Sequence, residues 1–455
     1  MSNAEADLVI IGSGPAGMAA ACEARALDMS VVLLDEQADI GGQIYRNIES
    51  APTDRVDILG KDYEAGRRLA SDFRNSGVRH LCGAVVWNVA LDGSVDYVEN
   101  GRSQQIVGRN VLLASGAMER PFPIAGWTLA GVMGAGAAQI LLKGSGALPN
   151  GPVVLAGCGP LLYLLAWQYL RAGARVEALV DTTAMSAYVH AAPYGVAALR
   201  GWRDLAKGLK LLSALKRHGV PFFSRSSELV IEGDKQVEGL SFKRRGRSVR
   251  IPASLVLLHQ GVVPNTQLTW STGAAHHWDA HQLCWLPETD AWGRLGETPL
   301  YVAGDSRAIV GAQASAVQGR LAALAIGERL GIKTDAARRE ALLRQFKRYT
   351  HIRPFLNALY RPTDENRIPQ DPGVVVCRCE EVTAGQIRRY VELGCLGPNQ
   401  TKAFGRCGMG LCQGRFCGLT VTEIIAQARG AAPEEVGYYR IRPPIKPVML
   451  GDFVH

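Results

Sequence analysis

The stretch Asp7-Leu8-Val9-Ile10-Ile11-Gly12-Ser13-Gly14-Pro15-Ala16-Gly17 decides how the rest of the chain is read. Leu8 to Ile11 is a short apolar run, the pattern of a strand buried on both faces. Gly12, Gly14 and Gly17 follow in G-x-G-x-x-G spacing, and the Ala-rich stretch 18–27 reads as a helix. A second strand, Val31 to Leu34, ends in Asp35-Glu36 and completes a βαβ unit. Gly12 makes the tight turn, Gly14 lets a pyrophosphate approach the backbone, and Gly17 lets helix and strand pack closely. Pro15 and Ala16 open the helix, whose free N–H groups and dipole face the phosphates. Asp35, 23 residues after Gly12, is placed to accept ribose hydroxyls, with its neighbour Glu36 as the alternative.

Working outward, a similar unit begins at Val153-Val154-Leu155-Ala156-Gly157-Cys158-Gly159, about 145 residues on, and its second strand ends at Asp181. Here Leu162 stands where the third glycine belongs, which weakens the phosphate cradle. NAD(P), another adenine nucleotide, or no ligand at all are open for this second unit. Strand-rich segments cover 81–114 and 219–259. Thr298 to Asp305 reads as a strand ending in a turn, followed by an Ala-rich helix over 312–330. Two features separate FAD from the shorter NAD at the first site. Gly41-Gly42-Gln43 lets backbone run along a long dinucleotide, and Gly304-Asp305 offers a carboxylate for a ribityl hydroxyl. Ala114-Ser115-Gly116 forms a tight turn crossing between the two domains. Together these segments, over roughly residues 7–330, resemble the flavoproteins of glutathione and thioredoxin reductase type. The resemblance implies FAD. A disulfide reductase mechanism is excluded, because Cys158 and Cys284 stand alone and no cysteine lies between Gly42 and Cys82.

The remaining composition is ordinary. A length of 455 residues suggests about three domains, and the net charge of +8 is modest. The basic run Lys243 to Arg247 reads as a hairpin turn, and no nucleic-acid recognition motif accompanies it. The N-terminus lacks a basic n-region, and no apolar run reaches about 18 residues. Leu161 to Leu170 comes nearest and fits a buried helix. A cytoplasmic protein without a membrane span is expected.

Ten cysteines, six of them after residue 376, require a chemical reason. Cys377-x-Cys379 and Cys412-x4-Cys417 offer four thiolates in two pairs, which suits iron–sulfur better than zinc, since zinc knuckles favour C-x2-C. Cys407-x4-Cys412 repeats the same spacing and is the competing pair. The gap of 32 residues between Cys379 and Cys412 resembles the helical [2Fe–2S] domain of bacterioferritin-associated ferredoxin. Cys395 reads as a core residue, and His259, His276 and His277 as structural.

The run Cys377-Arg378-Cys379-Glu380-Glu381-Val382-Thr383, the segment Gly408-Met409-Gly410-Leu411-Cys412-Gln413-Gly414-Arg415-Phe416-Cys417 and the Arg442-Pro443-Pro444-Ile445-Lys446-Pro447 tail carry a wider resemblance. Glu119-Arg120-Pro121 and Gly126-Trp127-Thr128-Leu129 add to it. The chain is similar over nearly its whole length to the FAD/[2Fe–2S] α subunit of heteromeric amine and amino-acid dehydrogenases. That family includes opine oxidases, D-hydroxyproline and dye-linked proline dehydrogenases and hydrogen cyanide synthase. The resemblance implies a β subunit like D-amino-acid oxidase and an electron acceptor. It also allows an FMN between subunits and a small third subunit. The alternative is a stand-alone NAD(P)H-dependent flavoprotein/iron–sulfur reductase. The expected fold is α/β, with two glutathione-reductase-like dinucleotide domains and a small helical [2Fe–2S] domain. The expected boundaries are 1–150 with 285–335 for FAD, 151–284 for the NAD(P)-like domain and 336–372 for a helical linker. The cluster domain is expected over 373–430 and an extended tail over 431–455.

Overall fold

In a computed structural model, which describes residues 5–454, the chain forms two compact units. The first comprises residues up to Met118, then Val263–Thr350, then the tail from Arg440. The second comprises Glu119–Val262 and His351–Tyr439. The chain thus passes from one unit to the other at 118/119 and 262/263, rather than at the expected 150/151 and 284/285. At the first crossing the reason is a distant pairing: the helix Ala135–Ser145 follows the strand Val132–Gly134, which pairs with Leu255–Gln260 of the second unit's sheet. The charged helix Ala336–Thr350 groups with the first unit, so 336–372 is not one linker.

Each unit is built on a five-stranded parallel sheet whose central strand runs into a glycine turn. In the first unit the order is Leu300–Val302, Val111–Leu113, Leu8–Ile11, Val31–Asp35, Arg79–Cys82. In the second it is Phe222–Phe223, Val176–Asp181, Val153–Cys158, Leu255–Gln260, Val132–Gly134. A three-stranded antiparallel sheet accompanies each, Val85–Val107 in the first and Ser226–Pro252 in the second. The weak repeat in the sequence is therefore a repeat of architecture. Both central strands are buried throughout, which explains their uninterrupted apolar character. The basic run is the expected hairpin: Gly239–Arg244 pairs with Arg247–Pro252, and Arg245 and Gly246 turn the chain with positive φ.

In the first unit the helices Pro15–Ala26 and Ala312–Arg329 lie in close contact. Small residues make this possible. A Cβ on Gly17 would lie 1.9 Å from the Gly12 carbonyl oxygen, and one on Gly319 would lie 2.0 Å from that of Ala16.

The segment 374–429 adds a short hairpin, Val375–Cys377 with Val382–Thr383, and helices Ala384–Glu392, Pro398–Gly405 and Gly418–Arg429. Thr383 caps the first helix reciprocally with Gln386, so a Thr-x-x-Gln signature starts it on time. The cluster helix is tied to the preceding segment by an ion pair between Glu423 and Arg367, whose side chains are 4% and 7% exposed. Burial pushes the Arg367 guanidinium down to about 10. Asp364, largely exposed, is the other partner of Arg367, so Glu423→Ala leaves the buried guanidinium only a solvent-facing counter-charge and is expected to cost about 3 kcal/mol. Urea unfolding followed by tryptophan fluorescence would measure it, and a cost below about 1 kcal/mol would contradict the burial argument.

Candidate functional site: a dinucleotide cradle and a thiol cluster

The first site grows from the turn after Leu8–Ile11. Gly12 has φ +106°, and a Cβ there would meet the Ala114 carbonyl oxygen at 2.5 Å. Gly14 differs. Its backbone is extended, and a Cβ would meet no protein atom within 4 Å. The open space lies over the start of the helix Pro15–Ala26, which has no side-chain cap. A cradle of this kind accommodates a pyrophosphate against uncapped N–H groups. Gly42, with φ +58°, packs so near that its Cβ would lie 2.9 Å from the Gly14 Cα. Gln43 Nε2 donates to the Ala117 carbonyl at 3.2 Å, holding the loop against the strand that leaves the sheet.

The two candidate carboxylates at the strand end separate clearly. Asp35 is buried: its Oδ2 accepts from the Ser13 N–H at 2.6 Å and the Ser13 hydroxyl at 2.7 Å, and its Oδ1 accepts from the Gln37 N–H at 2.8 Å. It braces the glycine turn. Glu36 points outward and pairs with Lys446 of the C-terminal tail. Burial pushes the Lys446 amine down while the Asp35 carboxylate pulls it back up. The tail is anchored beside this pair, with the Ile445 N–H donating to the Trp87 carbonyl at 3.0 Å and Phe453 edge-on to the Trp87 ring.

Ser115 Oγ donates to the Asn265 carbonyl at 2.9 Å, and the Asn265 N–H donates to the Gly116 carbonyl at 2.9 Å. Gly304 has φ +77° and lies against Ala16. Asp305 Oδ1 accepts from the N–H groups of Val310 and Gly311 at 2.8 and 2.9 Å. Those bonds shape the turn that leads into the helix Ala312–Arg329. Gly12, Gly14, Pro15, Ala16, Gly17, Gly42 and Gly304 are thus gathered around one helix start, a geometry that fits a long dinucleotide. His276 stacks on Trp270 at 3.7 Å, with burial lowering its pKa to about 4, and His259 pairs with Glu119 at 2.6 Å.

The second site is the thiol cluster. The Sγ atoms of Cys377, Cys407 and Cys417 lie within 4.8 Å of one another, and all three residues are buried. Hydrogen bonds from Cys407 and Cys417 hold the Cys377 thiol far down, near 2, as a thiolate, and that thiolate in turn raises the thiol of Cys417. Several thiols this close discharge their protons together only when a cation takes the charge, so the donor set fits a thiolate-bound metal centre. Cys379, exposed, and Cys412, half-buried, form a neighbouring pair that share a hydrogen bond. The Tyr439 hydroxyl donates to Cys407 at 3.3 Å. The structure therefore gathers Cys377 and Cys417 with Cys407, which spacing alone had ranked second, and sets Cys379 and Cys412 beside each other. Cys395 is a buried core residue with its thiol directed at the Gly397 carbonyl.

A parallel sheet with a dinucleotide cradle, joined to a compact cysteine-rich domain, defines an oxidoreductase that carries FAD and a [2Fe–2S] cluster. Residues 6–327 match the pyridine nucleotide-disulphide oxidoreductase family, and residues 375–427 match the BFD-like [2Fe-2S] binding domain. The chain belongs to the family of the opine oxidase A subunits. It is 45% identical to the member from Rhizobium meliloti over 98% of this chain and 86% of the relative, and 43% identical to that of Agrobacterium tumefaciens over 99% and 91%. The HcnB subunit of hydrogen cyanide synthase from Pseudomonas protegens is 31% identical over 98% of this chain and 97% of its own length. In fold, the chain resembles L-proline dehydrogenase from P. horikoshii, with a TM-score of 0.72 over 99% of this chain and 79% of that one, at 19% identity. Among the described residues no helix is long and apolar enough to cross a membrane.

Proposed function

We propose that this chain is the electron-transferring subunit of a multi-subunit dehydrogenase that oxidises a secondary amine or amino acid of the opine, D-hydroxyproline or proline type. The observation that carries the reading is the unbroken similarity to the opine oxidase A subunits across both the dinucleotide units and the cysteine domain. The FAD supplies two-electron chemistry and the cluster a one-electron relay, and this chain's own residues hold the two groups on one polypeptide. The oxidised C–N bond belongs to a partner, a β subunit resembling D-amino-acid oxidase, and the complex works in the cytoplasm.

At the first site Glu36, not Asp35, accepts the ribose hydroxyls, because both Asp35 oxygens are committed to the turn. Glu36→Ala is expected to weaken FAD about tenfold at unchanged folding, the loss of one charged hydrogen bond. Asp35→Ala is expected to lower the melting temperature as well. Flavin fluorescence titration alongside thermal melting separates the two, and equal melts with equal affinities would remove the distinction.

At the second site the ligands are Cys377, Cys379, Cys412 and Cys417. Cys377 lies with Cys417 and Cys407, and Cys379 with Cys412; with Cys407 set aside, each spatial group draws one thiol from each sequence pair. The whole reading is tested by co-expressing the chain with its flavoprotein partner and adding opines, proline or D-hydroxyproline anaerobically. Bleaching of the flavin and cluster bands by one of these amines is expected. No bleaching by any secondary amine, in a complex loaded with both groups, would refute it.

A further inference from the structure

The second dinucleotide unit has the form of a nucleotide site without its usable surface. Asp181 ends its strand 24 residues after Gly157, the counterpart of Asp35. It is buried, and both oxygens are committed: Oδ2 accepts from the Tyr163 hydroxyl at 2.6 Å and Oδ1 from the Thr183 N–H at 2.7 Å. The first unit follows its buried aspartate with the outward Glu36. The second follows Asp181 with Thr182, itself buried, whose hydroxyl accepts from Gln260 at 3.1 Å. No carboxylate at this strand end faces a ribose.

The glycine turn is covered too. Cys158 lies between Gly157 and Gly159, and its thiol donates to Gln260 Oε1 at 3.1 Å and meets the Tyr360 carbonyl oxygen at 3.5 Å. The Tyr360 ring is 6.4 Å from that of Tyr163, which sits in the first turn of the helix Pro160–Arg171, and the two hydroxyls hydrogen-bond. Tyr360 caps the short helix Arg353–Leu359, which packs against the helix Met185–Ala191. Ligands of doubly wound sheets bind beyond the carboxyl ends of the strands, where Tyr360 now stands. Leu162, fully buried, replaces the glycine that would bring the helix start close to a phosphate.

We infer that Tyr360, acting with Tyr163 and Asp181, closes this crevice to pyridine nucleotides and so bars NADH and NADPH as electron donors. Tyr360 is a specificity-determining residue: it stands over the second glycine turn and leaves amine-derived electrons as the input. The inference stands whichever amine is oxidised, since it concerns binding alone.

The test uses the full-length holoprotein and NADH, NADPH and ADP-ribose as probes in equilibrium dialysis. Wild type is expected to bind each more weakly than about 1 mM. Tyr163→Phe/Tyr360→Gly, which uncovers the turn and frees Asp181, is expected to bind ADP-ribose at least tenfold more tightly. Tyr360→Phe keeps the ring and should stay closed. Micromolar binding to wild type, or equal affinities for wild type and a folded double variant, would overturn the inference. Hydrogen exchange requires no variant. NADH at about 1 mM should leave protection across 353–360 unchanged, whereas increased exchange there would mark a displaceable lid and refute the closure.

Discussion

Cys417→Ser is expected to yield protein that retains FAD but has lost its iron and the visible absorption of the cluster. Each iron takes two thiolates, and an oxygen ligand in place of one sulfur leaves a centre that does not survive purification. Serine is a suitable probe here. Cys417 immediately precedes the helix Gly418–Arg429 and its side chain makes no cap bond, so a serine of nearly the same size keeps the helix start while the ligand is lost. Cys377→Ser, Cys379→Ser and Cys412→Ser should give the same result, and Cys407→Ser should keep its iron. Cys407 is buried beside Cys377 and Cys417, and the Tyr439 hydroxyl bonds to it. In this scheme it is a neighbour of the cluster. Iron and sulfide analysis of the five variants decides the matter: an iron-free Cys407→Ser beside a loaded Cys412→Ser would exchange their roles.

The second large effect concerns the glycines of the first turn, which do different work. Gly14→Val is expected to raise the FAD dissociation constant by about 100-fold or more, close to 3 kcal/mol, while the apoprotein folds normally. The backbone at Gly14 is extended and its Cβ direction is open, so a side chain can start there without meeting protein atoms within 4 Å of its first carbon. It fills the space where the pyrophosphate would lie. Gly17→Ala is expected to destabilise the unit itself, because a methyl group 1.9 Å from the Gly12 oxygen forces the helix away from the strand. Thermal melting of the apoproteins and flavin titration would show these effects in opposite proportions. A Gly14→Val protein that keeps its flavin would remove the cradle from this turn.

Much of this was legible in the sequence because local spacing enforces it. The first βαβ unit, the repeat at Gly157 and the hairpin at Arg245-Gly246 are all set by residues within a few positions of one another. The doubly wound fold and the iron–sulfur domain followed from such signals. The unit boundaries did not, because the parallel pairing of Val132–Gly134 with Leu255–Gln260 joins residues more than a hundred positions apart. The choice between Asp35 and Glu36 was likewise closed to spacing. It turns on the Ser13 hydroxyl and on Lys446, 410 residues away from Glu36. The place of Cys407 in the thiol cluster and the cover formed by Tyr360 depend on the same kind of distant contact. Leu162 was the one local signal that hinted at the second.

The return of the tail to the first unit carries a consequence for biogenesis. The strands of the first sheet run from Leu8 to Val302, yet the segment beside Glu36 and Trp87 is supplied by residues from Arg440 onward. Translation therefore delivers the whole cysteine domain before the first unit has its last segment. A protein tag or fusion grafted near residue 447 would disturb flavin retention, although it sits far along the chain from every glycine of the cradle.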